Sequence, residues 1–430
     1  MGKVPLIKSP LIAALVVTLG SVTMGSILSF ASPTQEQITN EFHFTDTQQV
    51  LFNVCAHICA VFGAPFINVF LPMIGRKKGC FLTGALAFIA FVILGRSKKL
   101  WLLFLMRCIA GLTIGFGSTI CPSYICELAP LEKRGLYGYI NQLLTSVGFM
   151  LPSLFGFTKD WRLNSSLCAI PSGILCILIV FTPDSSVSGK APPFVTLGKH
   201  PKQILVSLAL MFFLQFSGVQ AIISNLQGII EKAGMDVDSR IISVVANLSQ
   251  VLTTALAAFV VDRWGRQFCW ELSSAGQLLA FILLTVYKLA NTNPALFLVG
   301  LFAEQLFYGI GTGPIPFLRA AELFPDDVRA TAMGVLTSAN WLITTIVVFV
   351  WPYMEKGLGL GYSFLFYACI QILAMIFGIF VFPKSSISEE NSKVNSSLHI
   401  VDKEPSSIDY SESEKKEEDI LEENIDERIL

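Results

Sequence analysis

Glu127-Leu-Ala-Pro130-Leu-Glu-Lys-Arg134 and Glu322-Leu-Phe-Pro325-Asp-Asp-Val-Arg329 carry Glu, Leu, Pro and Arg in one spacing, and the whole string recurs at one constant offset. A second string does the same: Gly75-Arg76 lies upstream of the first copy and Gly265-Arg266 upstream of the second. One such recurrence arises easily by chance. Two in corresponding positions point to a chain made of two similar halves.

What lies between these strings is apolar. Of 430 residues, 53% are hydrophobic and 14% charged, and Phe alone occurs 34 times. A soluble domain carries about 25% charged residues, so too few are present here to coat a water-facing surface. Apolar runs near membrane-spanning length recur at 11–31, 48–70, 79–95, 100–124, 136–157, 163–182, 203–226, 240–261, 268–288, 295–319, 329–352 and 360–382. The sequence therefore predicts an all-α membrane protein with twelve transmembrane helices in two pseudo-symmetric six-helix halves. The halves are expected at 1–182 and 203–383, joined by a short linker at 183–202 and followed by an acidic tail at 384–430. The first run lacks a small-residue cleavage site and is read as an uncleaved helix. Parallel repeats of this kind are known in transporters, with the solute site between the halves at mid-membrane.

An even number of spans places both termini on one side. Arg76, Lys77, Lys78, Lys133, Arg134, Lys199, Lys202, Arg263, Arg266 and Arg329 share that side, while Glu36, Glu41, Asp46, Glu231 and Asp236 lie opposite. The cluster Arg96, Lys98 and Lys99 breaks the rule, but the count still predicts cytoplasmic termini. Basic residues confined to short loops on one side argue against nucleic acid as a partner. Ten Cys lie mostly inside apolar runs; Cys55 and Cys59 stand one turn apart, as packing residues do. Neither a disulfide framework nor a metal site is expected. The tail, rich in Ser, Glu and Asp, has the composition of a disordered segment.

Four strings, taken in order, resemble the sugar porters of the major facilitator superfamily. They are Arg107-xxx-Gly111-xxx-Gly115 running into Pro122-Ser-Tyr124-Ile-Cys-Glu127, then Gln215-Phe-Ser217-Gly218-Val-Gln220, Asp262-Arg263-Trp264-Gly265-Arg266, and Gly313-Pro314-Ile315-Pro316-Phe317 before Glu322. The resemblance runs from span one to span twelve. It implies a multi-pass carrier in the plasma membrane that moves a monosaccharide such as glucose by alternating access, as a monomer, with no cofactor, metal or catalytic residue.

The resemblance also implies the site. Gln142, Gln215, Gln220 and Asn340 fall where the family binds sugar, with Asn225 and Ser249 as looser candidates and Trp341 packing on the sugar or on the gate. Phe317 stands where the glucose facilitators have Trp. The chemistry fits, because sugar hydroxyls both donate and accept, and amides and aromatic faces answer them. The same amides also glue helices together in lipid. Arg76, Glu127, Arg134, Asp262, Arg266, Glu322 and Arg329 match a charge network that latches the halves while the cavity faces outward. Small residues such as Gly111 and Gly115 allow close helix contact. Pro314 and Pro316 interrupt span ten, either as a flexible half-helix or as a static kink.

Departures matter as well. Pro72 and Met73 replace the family's acid and first Arg beside Gly75, so the latch in the first half is expected to be differently built. After span six, Pro183-Asp184-Ser185-Ser186 lacks the family's Arg. Proton-driven members carry an acid in span one opposite the position of Arg107, whereas here Ser26 falls about there. Uncoupled transport is the expectation. Glu304 is the main acid within a predicted span: near the outer part of span ten, it is either a functional intramembrane acid, which would allow proton coupling, or a carboxylate that simply faces outer water. The alternatives are a proton-coupled symporter, a carrier of a polyol or disaccharide, and a sugar sensor that does not transport.

Overall fold

The computed structural model describes residues 7, 9–130, 133–183, 194–234 and 237–382. The acidic tail and most of the linker lie outside them. Among the described residues every regular element is helical, and eleven helices are long and apolar enough to cross a membrane. The last of these, Asp326–Phe380, is two helices meeting at Gly359, whose φ of 80° and ψ of 161° are not helical. The described residues thus form twelve spans.

Span one is Pro10–Ser29, two Asp46–Ile74, three Arg76–Leu94, four Leu100–Leu128, five Gly135–Thr158 and six Trp161–Phe181. Span seven is Pro201–Lys232, eight Ser239–Trp264, nine Arg266–Ala290 and ten Pro294–Leu323. Spans eleven and twelve flank Gly359. The face of the bundle where Pro10 opens span one is called the near face below, and the opposite one the far face.

The two faces turn the chain by different chemistry. On the far face, spans two, six, eight and ten open on a side-chain cap: Thr45, Asp160, Asp238 and Asn293 each accept a bond from a free backbone N–H of the first turn. Thr45 and Gln48 complete a reciprocal capping box. On the near face, Gly75 and Gly265 each cap the end of one span and the start of the next, with φ of 78° and 82°. A side chain resists that conformation, which explains why Gly-Arg recurs at matching places in the two halves.

Span one does not end in a loop. Its helix continues as Ala31–Phe42, so Glu36 and Glu41, expected in an outer loop, stand on a helix. Glu41 pairs with Arg162 and accepts a 2.8 Å bond from the Trp161 indole, tying this extension to span six. Across the halves, span five packs on span eight and span two on span eleven. Those two seams enclose the centre of the bundle.

Candidate functional site

Two spans break beside that centre. Span seven is interrupted at Ser217 and Gly218, between Pro201–Phe216 and Val219–Lys232. Span ten is interrupted between Ile310 and Ile315. The second break follows from sequence: Pro316 offers no N–H, and as one of the first two residues of a new helix it need not. The backbone groups freed there find partners. Thr312 N–H donates to Ser273 Oγ at 2.9 Å, Gly313 N–H to Tyr308 O at 3.1 Å, and the Tyr139 hydroxyl of span five donates to Ile310 O at 2.9 Å. Irregular backbone at membrane depth is tolerated on such terms only inside the protein or against a cavity.

A cavity is what it faces. About 580 Å³ not filled by atoms, part of it open to solvent, lies between the halves, lined by Gln142, Gln215, Gln220, Phe317, Asn340 and Trp341 of the predicted set. Gln215 Nε2 donates to Asn340 Oδ1 at 2.9 Å, which fixes both amides; Gln215 Oε1 is left buried without a partner. Gln220 Nε2 donates to Ser224 Oγ at 3.1 Å. Trp341 is held by a 2.9 Å bond from its indole N–H to Ser118 of span four, and so bridges the halves. Asn225 is not among the lining residues: its amide bonds to the carbonyl of Ala221 at 2.9 Å, one turn back on its own helix. Ser249 likewise bonds to Ala246 O.

Sequence reading missed part of the wall. Tyr308 lines the cavity with its hydroxyl beside Gln142, yet in an apolar run an aromatic residue looks like packing. Asn141 is a second such residue, its Oδ1 accepting from Ser21 Oγ–H at 2.6 Å. His57 is also buried, with Nδ1 bonded to Asn53 O at 2.9 Å, Nε2 unpartnered and its ring 6.4 Å from that of Trp341.

The charged positions gather at the near face. Arg76 pairs with Glu127 within the first half, although Pro72 and Met73 stand where an acid and an Arg were sought. In the second half Arg266 bonds to Asp262 at 2.9 Å and to Glu322 at 3.3 Å, and Glu322 takes a further 2.8 Å bond from Arg319. Arg319 is buried and was not foreseen. Arg329 donates to the carbonyls of Ala321 and Phe324, closing the end of span ten. Asp262 also reaches the other half, since a Cβ on Gly135 would run into its carboxylate. Arg134 begins the helix of span five, with its side chain outside the described residues.

Arg107 is fully buried. It donates to the carbonyls of Ile27 at 2.8 Å and Phe52 at 3.4 Å, and its guanidinium lies 5.0 Å from the Phe52 ring centre. Ser26 does not face it: that hydroxyl bonds to Val22 O and Gly148 O. The backbone of the next residue thus stands where a carboxylate was sought. Glu304 keeps one of its two readings. It does not face outer water but is entirely buried, accepting from Gln277 and Gln305.

These features have counterparts in known proteins. The family described as "Sugar (and other) transporter" matches residues 13–188 and 188–389. Facilitated glucose transporter member 8 of solute carrier family 2 from Bos taurus is 28% identical over 410 residues, covering 80% of this chain and 85% of that one. Sugar transporter ERD6-like 6 from Arabidopsis thaliana is 25% identical over 392 residues, covering 79% and 80%. Among solved structures, the proton:xylose symporter XylE bound to 6-bromo-6-deoxy-D-glucose superposes with a TM-score of 0.77 at 18% identity, over 89% of this chain and 98% of that one. At that identity the likeness is one of fold.

Proposed function

Because the chain belongs to the sugar (and other) transporter family, we infer that its central cavity carries a monosaccharide such as glucose across the membrane by alternating access and facilitated diffusion. The observation that carries this reading is Gln215. Its Oε1 is a buried acceptor with no partner, while its Nε2 is committed to Asn340. A buried polar group left unmet costs about 1–3 kcal/mol, and a sugar hydroxyl entering the cavity removes that cost. Gln142, Gln220 and Asn340 supply further donors and acceptors, and Phe317 and Trp341 supply apolar faces.

Transport without proton coupling is supported by Arg107, which donates to the carbonyls of Ile27 and Phe52 where proton-driven members have a carboxylate of span one. Alternating access is supported by the breaks in spans seven and ten and by the seams between the halves. The near face is the cytoplasmic one in this reading, since it carries Arg76, Lys77, Lys78, Arg263 and Arg266. The protein works as a monomer in the plasma membrane, through binding and conformational change alone.

Equilibrium binding of D-glucose to purified protein, followed by tryptophan fluorescence or calorimetry, tests the assignment. The parent protein binds, and Gln215→Ala binds more weakly. Binding that survives Gln215→Ala and Asn340→Ala at full strength overturns this cavity as the sugar site.

A further inference from the structure

Glu304 is wholly buried midway along the second half, and the partners shown for it are amides rather than cations. Its Oε1 accepts from Gln277 Nε2 of span nine at 3.3 Å, and Oε2 accepts from Gln305 Nε2 at 2.9 Å. Gln277 passes the connection on, since its Oε1 accepts from Thr312 Oγ–H at 2.7 Å. Thr312 sits in the non-helical link of span ten, and the next residue, Gly313, lines the cavity. Ser273 closes the ring, accepting from Thr312 N–H at 2.9 Å and donating to Phe307 O at 2.6 Å.

We propose that Glu304, acting through Gln277 and Thr312, is the positioning residue that sets the geometry of the break in span ten and with it the rate at which the loaded carrier changes state. The physical reason is the shortage of partners at the break. Its backbone has lost the helical ladder, so polar groups from span nine hold it, and Gln277 can do so only in one orientation. Its Nε2 must point to an acceptor for its Oε1 to face Thr312. Glu304 is that acceptor. A carboxyl in hydrocarbon is costly and seldom without a role. Tyr308, one turn along from Glu304, and Phe317, beyond the break, both line the cavity. The geometry of the break therefore governs how readily the aromatic wall moves as the loaded carrier changes state.

The proposal rests on the sugar-transport reading for its consequence but not for its geometry, so two readouts are needed. The first is amide hydrogen exchange over residues 309–316 of the solubilised full chain. Glu304→Leu removes the acceptor and speeds exchange there relative to parent, while exchange in span three is unchanged. The second is sugar uptake: the maximal rate of Glu304→Leu falls about tenfold while apparent affinity stays within about twofold, the pattern of a lost conformational interaction rather than a lost sugar contact. Glu304→Gln keeps an oxygen toward Gln277. Gln305, whose Oε1 has no partner now, turns its amide to meet the new NH₂. That variant matches parent in both readouts. Should Glu304→Leu fail to fold, Thr312→Val and Gln277→Leu cut the same chain and give the same result. Unchanged exchange at 309–316 in the leucine variant overturns the proposal, as does equal loss in the Gln and Leu variants, which would make charge the operative property. If the parent takes up no labelled sugar, the transport reading falls, and the exchange measurement still decides the strut.

Discussion

Gln215 is given two jobs on one amide by the proposed function. Its nitrogen donates to Asn340, and its oxygen, buried without a partner, is the acceptor proposed for the sugar. Removing it deletes both, so Gln215→Ala is expected to weaken glucose binding about tenfold or more, from the roughly 1–3 kcal/mol an unmet polar partner costs. Asn225→Ala, whose amide only bonds back to Ala221, should leave affinity unchanged; calorimetry on both variants separates them. These two residues also mark what sequence can reveal. An amide in an apolar span announces a polar task, and four of the expected amides, Gln142, Gln215, Gln220 and Asn340 from three spans, do meet in one cavity. Which way an amide points depends on helix rotation against neighbours, so sequence alone ranked Asn225 below Gln220 but did not exclude it. Tyr308 and Asn141 were missed for the converse reason, that nothing in their surroundings marks them as more than packing and a helix-binding amide. Closeness to a helix end left two readings of Glu304 open, whereas in the structure span nine covers it.

Between helices, close approach replaces the hydrophobic drive that lipid does not supply. Gly111 was expected to allow such contact, and a Cβ there would stand 2.7 Å from Ala56 Cα of span two. Gly25 of span one and Gly148 of span five face each other, each hypothetical Cβ 2.9 Å from the other's Cα. Backbone cannot yield as a side chain can, so Gly148→Leu is predicted to force spans one and five apart and lower the melting temperature by several degrees in detergent, from overpacking of about 1–3 kcal/mol or more. Gly228 of span seven has nothing within 4 Å of its Cβ position, so Gly228→Ala should be neutral or slightly stabilising by helix propensity, about 1 kcal/mol at most. A differential scanning measurement on the pair decides whether contact or glycine content governs. The span count was legible because length and hydropathy fix it. The end of span eleven was not: the helix runs through Pro352 to Gly359 rather than stopping at 352, since a membrane helix can carry a proline whose freed backbone group is satisfied locally.

At the scale of the whole molecule, the account rests on two halves that move against each other around one cavity. The repeated Glu-Leu-x-Pro-xxx-Arg strings told of the halves, and the charged residues they contribute do collect at the near face. Sequence did not show how they pair. Glu322 serves Arg266 and the buried Arg319 together, so Glu322→Ala removes one ion pair from each and is expected to shift the population toward the state open at the near face. Labelling of single cysteines placed in the near-face and far-face vestibules would register that shift; equal labelling of variant and parent would reduce the charges to topology signals. The central claim is that this cavity lets a hexose run down its own gradient. Its most direct test is uptake of labelled D-glucose into proteoliposomes holding the full chain, with and without an inward proton gradient. The account predicts saturable entry that stops when internal and external concentrations are equal, at the same plateau under both conditions. Accumulation above the external concentration, abolished by a protonophore and by Glu304→Gln or His57→Gln, would contradict it and make the protein a symporter.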